Sequence, residues 1–577
     1  MAPPADADDR DAPRRVLGIE GTAWAASAAV YDVAADDVTI ETDAYQPESG
    51  GIHPREAAEH MSDAVPEVVE RALGVAREQA AEGDEDAGTP IDAVAFSRGP
   101  GLGPCLRIAG TAARAVAQRF DVPLVGVNHM VAHLEIGRHY AGFANPVCLN
   151  ASGANAHVLA YRNGQYRMVG ETMDTGVGNA IDKFTRHLGW SHPGGPKVEA
   201  HAREGEYHEL PYVVKGMDFS FSGITSAAKQ AVDDGVPVDD VCRGLEETVF
   251  AMLTEVSERA LSLTGRDELV LGGGVGQNER LQGMLREMCE QRGADIYVPE
   301  DRFLRDNAGM IAVLGAKMAA AGDTLAVEES AIDADFRPDE VAVTWRDEPD
   351  PARVVAGTTG AAGAAGTTNR TGDDDHPTQQ GAEATVEFTD GRVVKRRLPR
   401  TYRHPELDER LRRERTRREA RLTSEARRQG VPTPVVRDVD THEATITFDF
   451  VGDCDLGEAL TTDHVRAVGR HLATLHDAGI VHGDPTTRNV RVATDERSVV
   501  GSGRGRVYLV DFGLGYSSRA AEDHAVDLHV FGRSLAGTAD DAAVLRDAAE
   551  AAYRDASERP NAVLGRLRSV EGRGRYQ

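Results

Sequence analysis

The stretch Val16-Leu-Gly-Ile-Glu-Gly-Thr22 opens the fold, because a short apolar strand (Val16 to Ile19) runs directly into a glycine-bearing turn. The same arrangement recurs downstream. Ala93–Phe96, Leu124–Val127, Val147–Leu149 and Leu269–Leu271 are apolar runs, each leading into a turn-rich segment. Strands of this kind alternating with helical stretches predict α/β layers over residues 15–337. Residues 1–14 are acidic, Pro/Ala-rich and without an apolar core, so a disordered leader is expected there and not a signal peptide. From Pro351 to Gly381 the composition collapses to Ala, Gly, Thr, Asp and Gln, which predicts a flexible linker over 338–380. Beyond it come strands (Ala384–Phe388, Val393–Lys395), a long Arg/Glu helix (Leu407 to Arg428), strands near Val435 and over Thr445–Phe450, and then helices. Strands first and helices later predict a second, small two-lobed unit over 381–577.

Bulk properties agree with several cores. At 577 residues the chain exceeds one core, and 41% hydrophobic residues can fill more than one. The formal charge is -30 and the pI about 5.1. An acidic total usually argues against nucleic acid, but acid spread over the surface also fits a protein kept soluble in high salt, and DNA is not an expected partner. Arginine nevertheless clusters locally, as in Arg410 to Arg421. Lysine is scarce, and Lys395 is the only one after residue 337. A lysine kept where arginine is the default marks a site that needs a compact ammonium. Five cysteines (Cys105, Cys148, Cys242, Cys289, Cys454) show no CxxC spacing and predict neither a zinc site nor a disulfide frame. No apolar run reaches the length of a membrane span, so a cytoplasmic chain is expected and the Asn369-Arg-Thr371 sequon is noise.

His129 and His133 are four residues apart. On a helix they share a face and can hold one metal ion, or they can simply cap and line the helix. Met130 stands where a zinc peptidase of HExxH type carries its general base, so a peptidase is disfavoured. Gly18-Ile-Glu20-Gly-Thr22 and Leu271-Gly-Gly-Gly-Val-Gly-Gln-Asn278 can both present backbone N–H groups to phosphate. Two such loops flanking a metal helix predict a split nucleotide site between two lobes.

Six further segments sharpen this. Ser97-Arg-Gly-Pro-Gly-Leu-Gly-Pro-Cys-Leu106, Asn128-His-Met-Val-Ala-His133, Gly178-Asn-Ala-Ile-Asp182-Lys, His192-Pro-Gly-Gly195-Pro, Asp218-Phe-Ser-Phe-Ser-Gly223 and Asp306-Asn-Ala-Gly-Met310 resemble the universal tRNA threonylcarbamoyltransferase in its archaeal form. The resemblance covers residues 15–337. It implies an actin/hexokinase-like (ASKHA) pair of lobes and transfer of threonylcarbamoyl from threonylcarbamoyl-AMP to N6 of the adenosine 3′ of the anticodon. It assigns His129, His133 and Asp306 to a divalent metal, with iron favoured over zinc. Asn150, Ala151, Ser152, Gly153, Ala154, Asp182, Gly195, Glu199 and Asn278 are implied around the adenylate. One departure concerns Asn150-Ala-Ser-Gly-Ala154-Asn-Ala156, where the family reads Tyr-Val-Ser-Gly-Gly-Asn-Thr. The usual tyrosine ligand is Asn150 here, and Ala154 adds a methyl where a glycine allows close backbone approach.

The second half carries a different chemistry. Asp484 and Asn489 have the D-x-x-x-x-N spacing of a kinase catalytic loop, a base followed by an Mg²⁺ ligand. Asp511, in Val-Asp-Phe-Gly513, would hold the other Mg²⁺. Lys395 ends a strand, where it should meet the ATP phosphates, and Glu419 on the Arg-rich helix is its expected partner. No GxGxxG precedes the first strand; Gly381, Ala382, Glu383 and Ala384 stand there as the expected ATP cover. No APE follows, and about 64 residues remain. With His404-Pro-Glu-Leu-Asp408, Arg415-Thr-Arg-Arg-Glu419-Ala and His482-Gly-Asp-Pro-Thr-Thr-Arg-Asn489, this half resembles the small atypical kinase of the KEOPS complex, which some archaea fuse to the transferase. The resemblance implies a Ser/Thr kinase or ATPase supporting tRNA modification, with the small dimerisation subunit and the kinase-binding subunit of that complex as partners.

Arg410 to Arg421 reads either as a tRNA contact or as a solvated helix face whose glutamates offer i,i+4 pairs, and the tail residues Arg566, Arg568, Arg573 and Arg575, with little compensating acid, are expected tRNA contacts. The rival reading is a signalling Ser/Thr kinase with an N-terminal nucleotide-sensing domain, disfavoured by the short lobe. A scaffold with a metal site decayed at Asn150 is another.

Overall fold

The computed structural model describes residues 12–45, 53–83, 89–162, 164–346, 378–380, 384–389, 391–493 and 506–571. Two five-stranded sheets build the first half. In one, Asp37–Ala44, Ala25–Asp32 and Arg15–Glu20 form an antiparallel meander, and Ala93–Gly99 and Leu124–Asn128 continue it in parallel. In the other, Gln165–Glu171, Ala156–Arg162 and Val147–Ala151 form the meander, and Glu268–Gly272 and Asp295–Tyr297 add the parallel strands. Both sheets therefore have the same strand order, 3-2-1-4-5. This repeat is the actin/hexokinase-like pair of lobes, and the predicted strands are found within three residues of their expected ends. All six residues of Arg15–Glu20 are buried, as expected of a central strand covered on both faces.

Packed structure continues past residue 337. Pro338–Glu340 form a 3₁₀ turn, Val341 is buried and Arg346 stacks on Tyr161 at 3.8 Å. At its other end the expected linker contains the strand Thr378–Gln380, paired with Thr385–Thr389. The first stretch packs through Val341, Val343 and Trp345 on an apolar core, and the second joins through backbone pairing in a sheet.

The second half opens with an antiparallel sheet of Thr378–Gln380, Thr385–Thr389, Arg392–Arg396, Thr445–Asp449 and Val436–Asp440. Helix Pro405–Arg428 packs on it. A helical part follows (Thr462–Asp477, Ala521–Thr538, Ala542–Ala556, Pro560–Glu571) with a three-stranded sheet of Cys454–Asp455, Val490–Ala493 and Arg506–Leu509. This is the order of a small kinase-like domain.

The halves dock within one chain. Tyr402, wholly buried, belongs to the apolar core of the second lobe. Leu407 and Leu411 pack on Ala251 of helix Val238–Thr264. That helix also carries Glu255 and Glu258, both buried. Glu255 accepts from Arg403 at 2.7 Å and Arg415 at 3.0 Å, and Glu258 pairs with Arg400 at 3.1 Å. The cations come from one half and the carboxylates from the other, so buried charge complementarity sets the register of the seam. Arg410, Arg412 and Arg413 also find acid partners in Glu209, Asp408 and Glu409. Part of the arginine cluster read as RNA-facing thus holds the seam; Arg417 and Arg421 stay exposed. In the tail, Arg566 pairs with Glu522, and Arg568 with Glu550 and Glu571. Glu522 and Glu550, distant in sequence, are brought alongside by the fold. Arg573 and Arg575 lie outside the described residues.

Candidate active sites

The first site is built on helix His129–Ala141. Asn128 caps it, its Oδ1 accepting from the N–H groups of Met130 at 3.0 Å and Val131 at 3.1 Å, and Gly142 ends it at φ 67°. The cap places His129 and His133 on the first turns, facing a carboxylate 173 residues beyond His133. Asp306 Oδ1 lies 3.3 Å from His129 Nε2 and 3.3 Å from His133 Nε2. These three residues form the one candidate metal cluster among the described residues. The sequence reading missed Glu20. Wholly buried at the end of the first strand, it accepts from Thr22 N at 2.8 Å and from Ser97 Oγ, and it meets His129 Nδ1 at 3.1 Å. Its position in Gly18-Ile-Glu20-Gly-Thr22 was a signal for a buried acid, not only for a phosphate loop.

Burial alone would lower the His129 imidazolium, but Glu20 and Asp306 outweigh it and hold it up at about 10. Burial and the charge on His129 push His133 down. Burial opposes ionisation of Asp306, yet the facing histidines keep it well below the usual carboxylate range. Two buried atoms here have no hydrogen-bond partner, His133 Nδ1 and Asn150 Oδ1. A cluster of imidazoles, a carboxylate and an orphaned amide oxygen fits a divalent cation.

Beside the cluster lies a cavity of about 680 Å³, lined by His129, Asn150, Ser152, Gly153, Ala154, Asp182, Gly195, Glu199, Asn278 and Asp306. Ala151 is the exception. Its side chain points the other way along the strand, into the apolar core of the second lobe. The Ala154 methyl is exposed, and the tight approach occurs opposite it. A Cβ at Gly176 would come within 2.1 Å of the Ala154 carbonyl carbon, and one at Gly178 within 2.7 Å of Gly153. Several of the residues brace loops. Asp182 accepts from Gly194 N at 2.8 Å and meets His192 at 3.1 Å. Asn278 caps helix Glu279–Arg292 through Arg280 N and Leu281 N, while its amide donates to Glu246 at 2.9 Å. Burial lifts the Glu246 carboxyl to about 7, against the Asn278 hydrogen bond.

The second site lies in a cleft of about 300 Å³ lined by Ala384, Lys395, Glu419, Asp484, Asn489 and Asp511. Gly381, Ala382 and Glu383 lie outside the described residues. Lys395 Nζ meets Glu419 at 3.0 and 3.1 Å and Asp511 at 2.8 Å. Asn489 donates to the Asp484 carboxylate at 2.7 Å and its carbonyl at 2.9 Å. Asp511 has φ 64°, a left-handed conformation of the kind that collects at functional sites. Phe512, buried, packs on His482 at 4.4 Å.

Three participants have no linear motif. Asp527, wholly buried on helix Ala521–Thr538, accepts from His482 N at 2.7 Å and Gly483 N at 2.8 Å and so fixes the backbone just before Asp484. Arg397 shares Glu419 with Lys395. The third comes from the other half. Arg259 of helix Val238–Thr264 forms an ion pair with Asp484, and Met217, Ser262 and Leu263 wall the same cleft.

The profile of the tRNA N6-adenosine threonylcarbamoyltransferase family matches residues 34–313. Over the whole length the chain is 69% identical to a probable bifunctional tRNA threonylcarbamoyladenosine biosynthesis protein of Haloarcula marismortui, covering 98% of this chain and all of that one. The protein of the same description in Halobacterium salinarum is 69% identical over 565 residues, with 98% and 99% covered. That of Methanospirillum hungatei is 48% identical over 565 residues, with 97% and 99% covered.

Proposed function

Because the chain belongs to the family of bifunctional tRNA threonylcarbamoyladenosine biosynthesis proteins, we propose that its first site transfers the threonylcarbamoyl group to tRNA and its second turns over ATP in support. The observation that carries the first reading is the meeting of His129, His133 and Asp306 at the edge of a cavity large enough for an acyl-adenylate. A divalent metal bound by these residues, with Asn150 Oδ1 as a further donor, would supply a Lewis acid for the carbamoyl or phosphate oxygen. Iron(II) is the expected ion, with zinc the alternative. Glu20 holds the His129 ring from its Nδ1 side and orients Nε2 toward Asp306. Asp182 keeps the His192–Gly195 turn in place, and the walls of the cavity exclude water from the acyl donor.

At the second site Asp484 would accept the proton of a hydroxyl or water attacking the γ-phosphate, with Mg²⁺ on Asn489 and Asp511. Lys395, held by Glu419, would meet the ATP phosphates. The domain boundaries we adopt are a transferase domain beginning at residue 15 and a kinase-like domain ending the chain. The other subunits of a KEOPS complex are the expected partners. No helix of the described residues is long and apolar enough to cross a membrane, which agrees with a cytoplasmic enzyme.

The test is direct. Full-length protein, threonylcarbamoyl-AMP, tRNA and the partner subunits should yield N6-threonylcarbamoyladenosine by nucleoside mass spectrometry. No modified nucleoside from wild type under these conditions would sink the transferase reading. His129→Ala should lose bound metal on elemental analysis; retained metal would remove the ligand assignment.

A further inference from the structure

A second cavity lies on the seam, away from both sites. The hairpin Ala156–Arg162/Gln165–Glu171 pairs Ala160 with Arg167 and Arg162 with Gln165. Arg162 and Arg167 are therefore diagonal neighbours on one sheet face, an arrangement in which like charges repel. With Arg266 they line a space of about 260 Å³, closed by Gly537 near the end of helix Ala521–Thr538. No carboxylate lines it among the described residues. Asp540 is 3.9 Å from Arg162 and its side chain is three-quarters exposed.

The Nη groups of Arg162 are spent, donating to the Gly537 and Thr538 carbonyls at 2.7 Å. The Nε groups of Arg162 and Arg167 are not. Both are buried, and neither has a hydrogen-bond partner. Two buried guanidinium donors without acceptors, on neighbouring like charges, are costly unless an anion answers them. We propose that this cavity is an oxyanion site taking inorganic phosphate, which would join the transferase hairpin to the kinase-like domain. The planar donor fork of arginine favours a multidentate oxyanion over a spherical halide, and the volume admits one phosphate with water.

Calorimetric titration of the full chain with inorganic phosphate, without nucleotide and at constant ionic strength, tests this. Wild type should bind, and Arg167→Gln should weaken binding by about tenfold or more while leaving Mg·ATP affinity at the other site unchanged. Arg167→Lys keeps the charge without the fork and should also weaken phosphate, which covers the case in which Arg167→Gln fails to fold. Equal phosphate affinity in wild type and both variants overturns the proposal. So does absence of binding to wild type, or chloride competing as well as phosphate does.

Discussion

Asn150, His157 and Asp484 show how a single side chain takes its meaning from its surroundings. Asn150 stands where the family's tyrosine ligand is usual, yet its buried oxygen has no other partner. Asn150→Ala should therefore weaken metal retention in dialysis against chelator, whereas undiminished retention would mean that the amide is no ligand. His157, buried on the hairpin next to Glu171 and Arg533, is a lone histidine in sequence and attracts no functional reading. Burial pushes it down to about 4, against the pull of Glu171. The unfolded chain takes up that proton near pH 6.5, and the native state refuses it until about 4. The stability it contributes is thus complete above 6.5 and is lost as pH falls toward 4. His157→Gln should reduce that loss, by up to about 3 kcal/mol; parallel stability–pH curves for variant and wild type would rule this out. Asp484→Asn should cut ATP turnover by about 10²-fold or more, and unchanged turnover would remove Asp484 as the base.

Among elements, helix Val238–Thr264 does the most varied work. It lines the cavity of the first site through Glu246, anchors the seam through Glu255 and Glu258, and reaches Asp484 of the kinase-like domain through Arg259. In sequence it reads as an amphipathic helix rich in glutamate, since nothing local says which glutamates meet arginines 150 residues away. Glu255→Ala would remove the buried carboxylate that Arg403 and Arg415 share, while Arg403 keeps Asp408 at 3.4 Å, at a cost of about 3 kcal/mol. With a protease site engineered between residues 347 and 377 and then cut, the two halves of this variant should separate on gel filtration where those of the wild type remain together. Arg259→Ala frees Asp484 of its ion pair and should raise ATP turnover several-fold; a fall would instead give Arg259 a part in catalysis.

For the whole molecule, a charge of -30 repels itself in dilute buffer. The thermal midpoint should climb as KCl rises from about 0.1 M to about 2 M, where the Debye length falls to about 3 Å or less; a flat response would show that surface acid does not govern stability. The α/β alternation, the second small domain, the HxxxH helix and the Lys395–Glu419 pair were all legible in the chain. Each rests on local signals, namely period, spacing and the kinds of residue that a chemistry requires. Chain order could not reveal the repeated sheet order of the two lobes, Glu20 behind His129, the turning of Ala151 into the core, or Arg259 against Asp484. Those depend on which distant backbones share a sheet and which buried charges meet. The sequence alone determined the residues of the two candidate sites, because metal and phosphate ligands must be of particular types at particular spacings. Only the tertiary structure decided that they share one helix, because a buried carboxylate is tolerable only where folding delivers its cation.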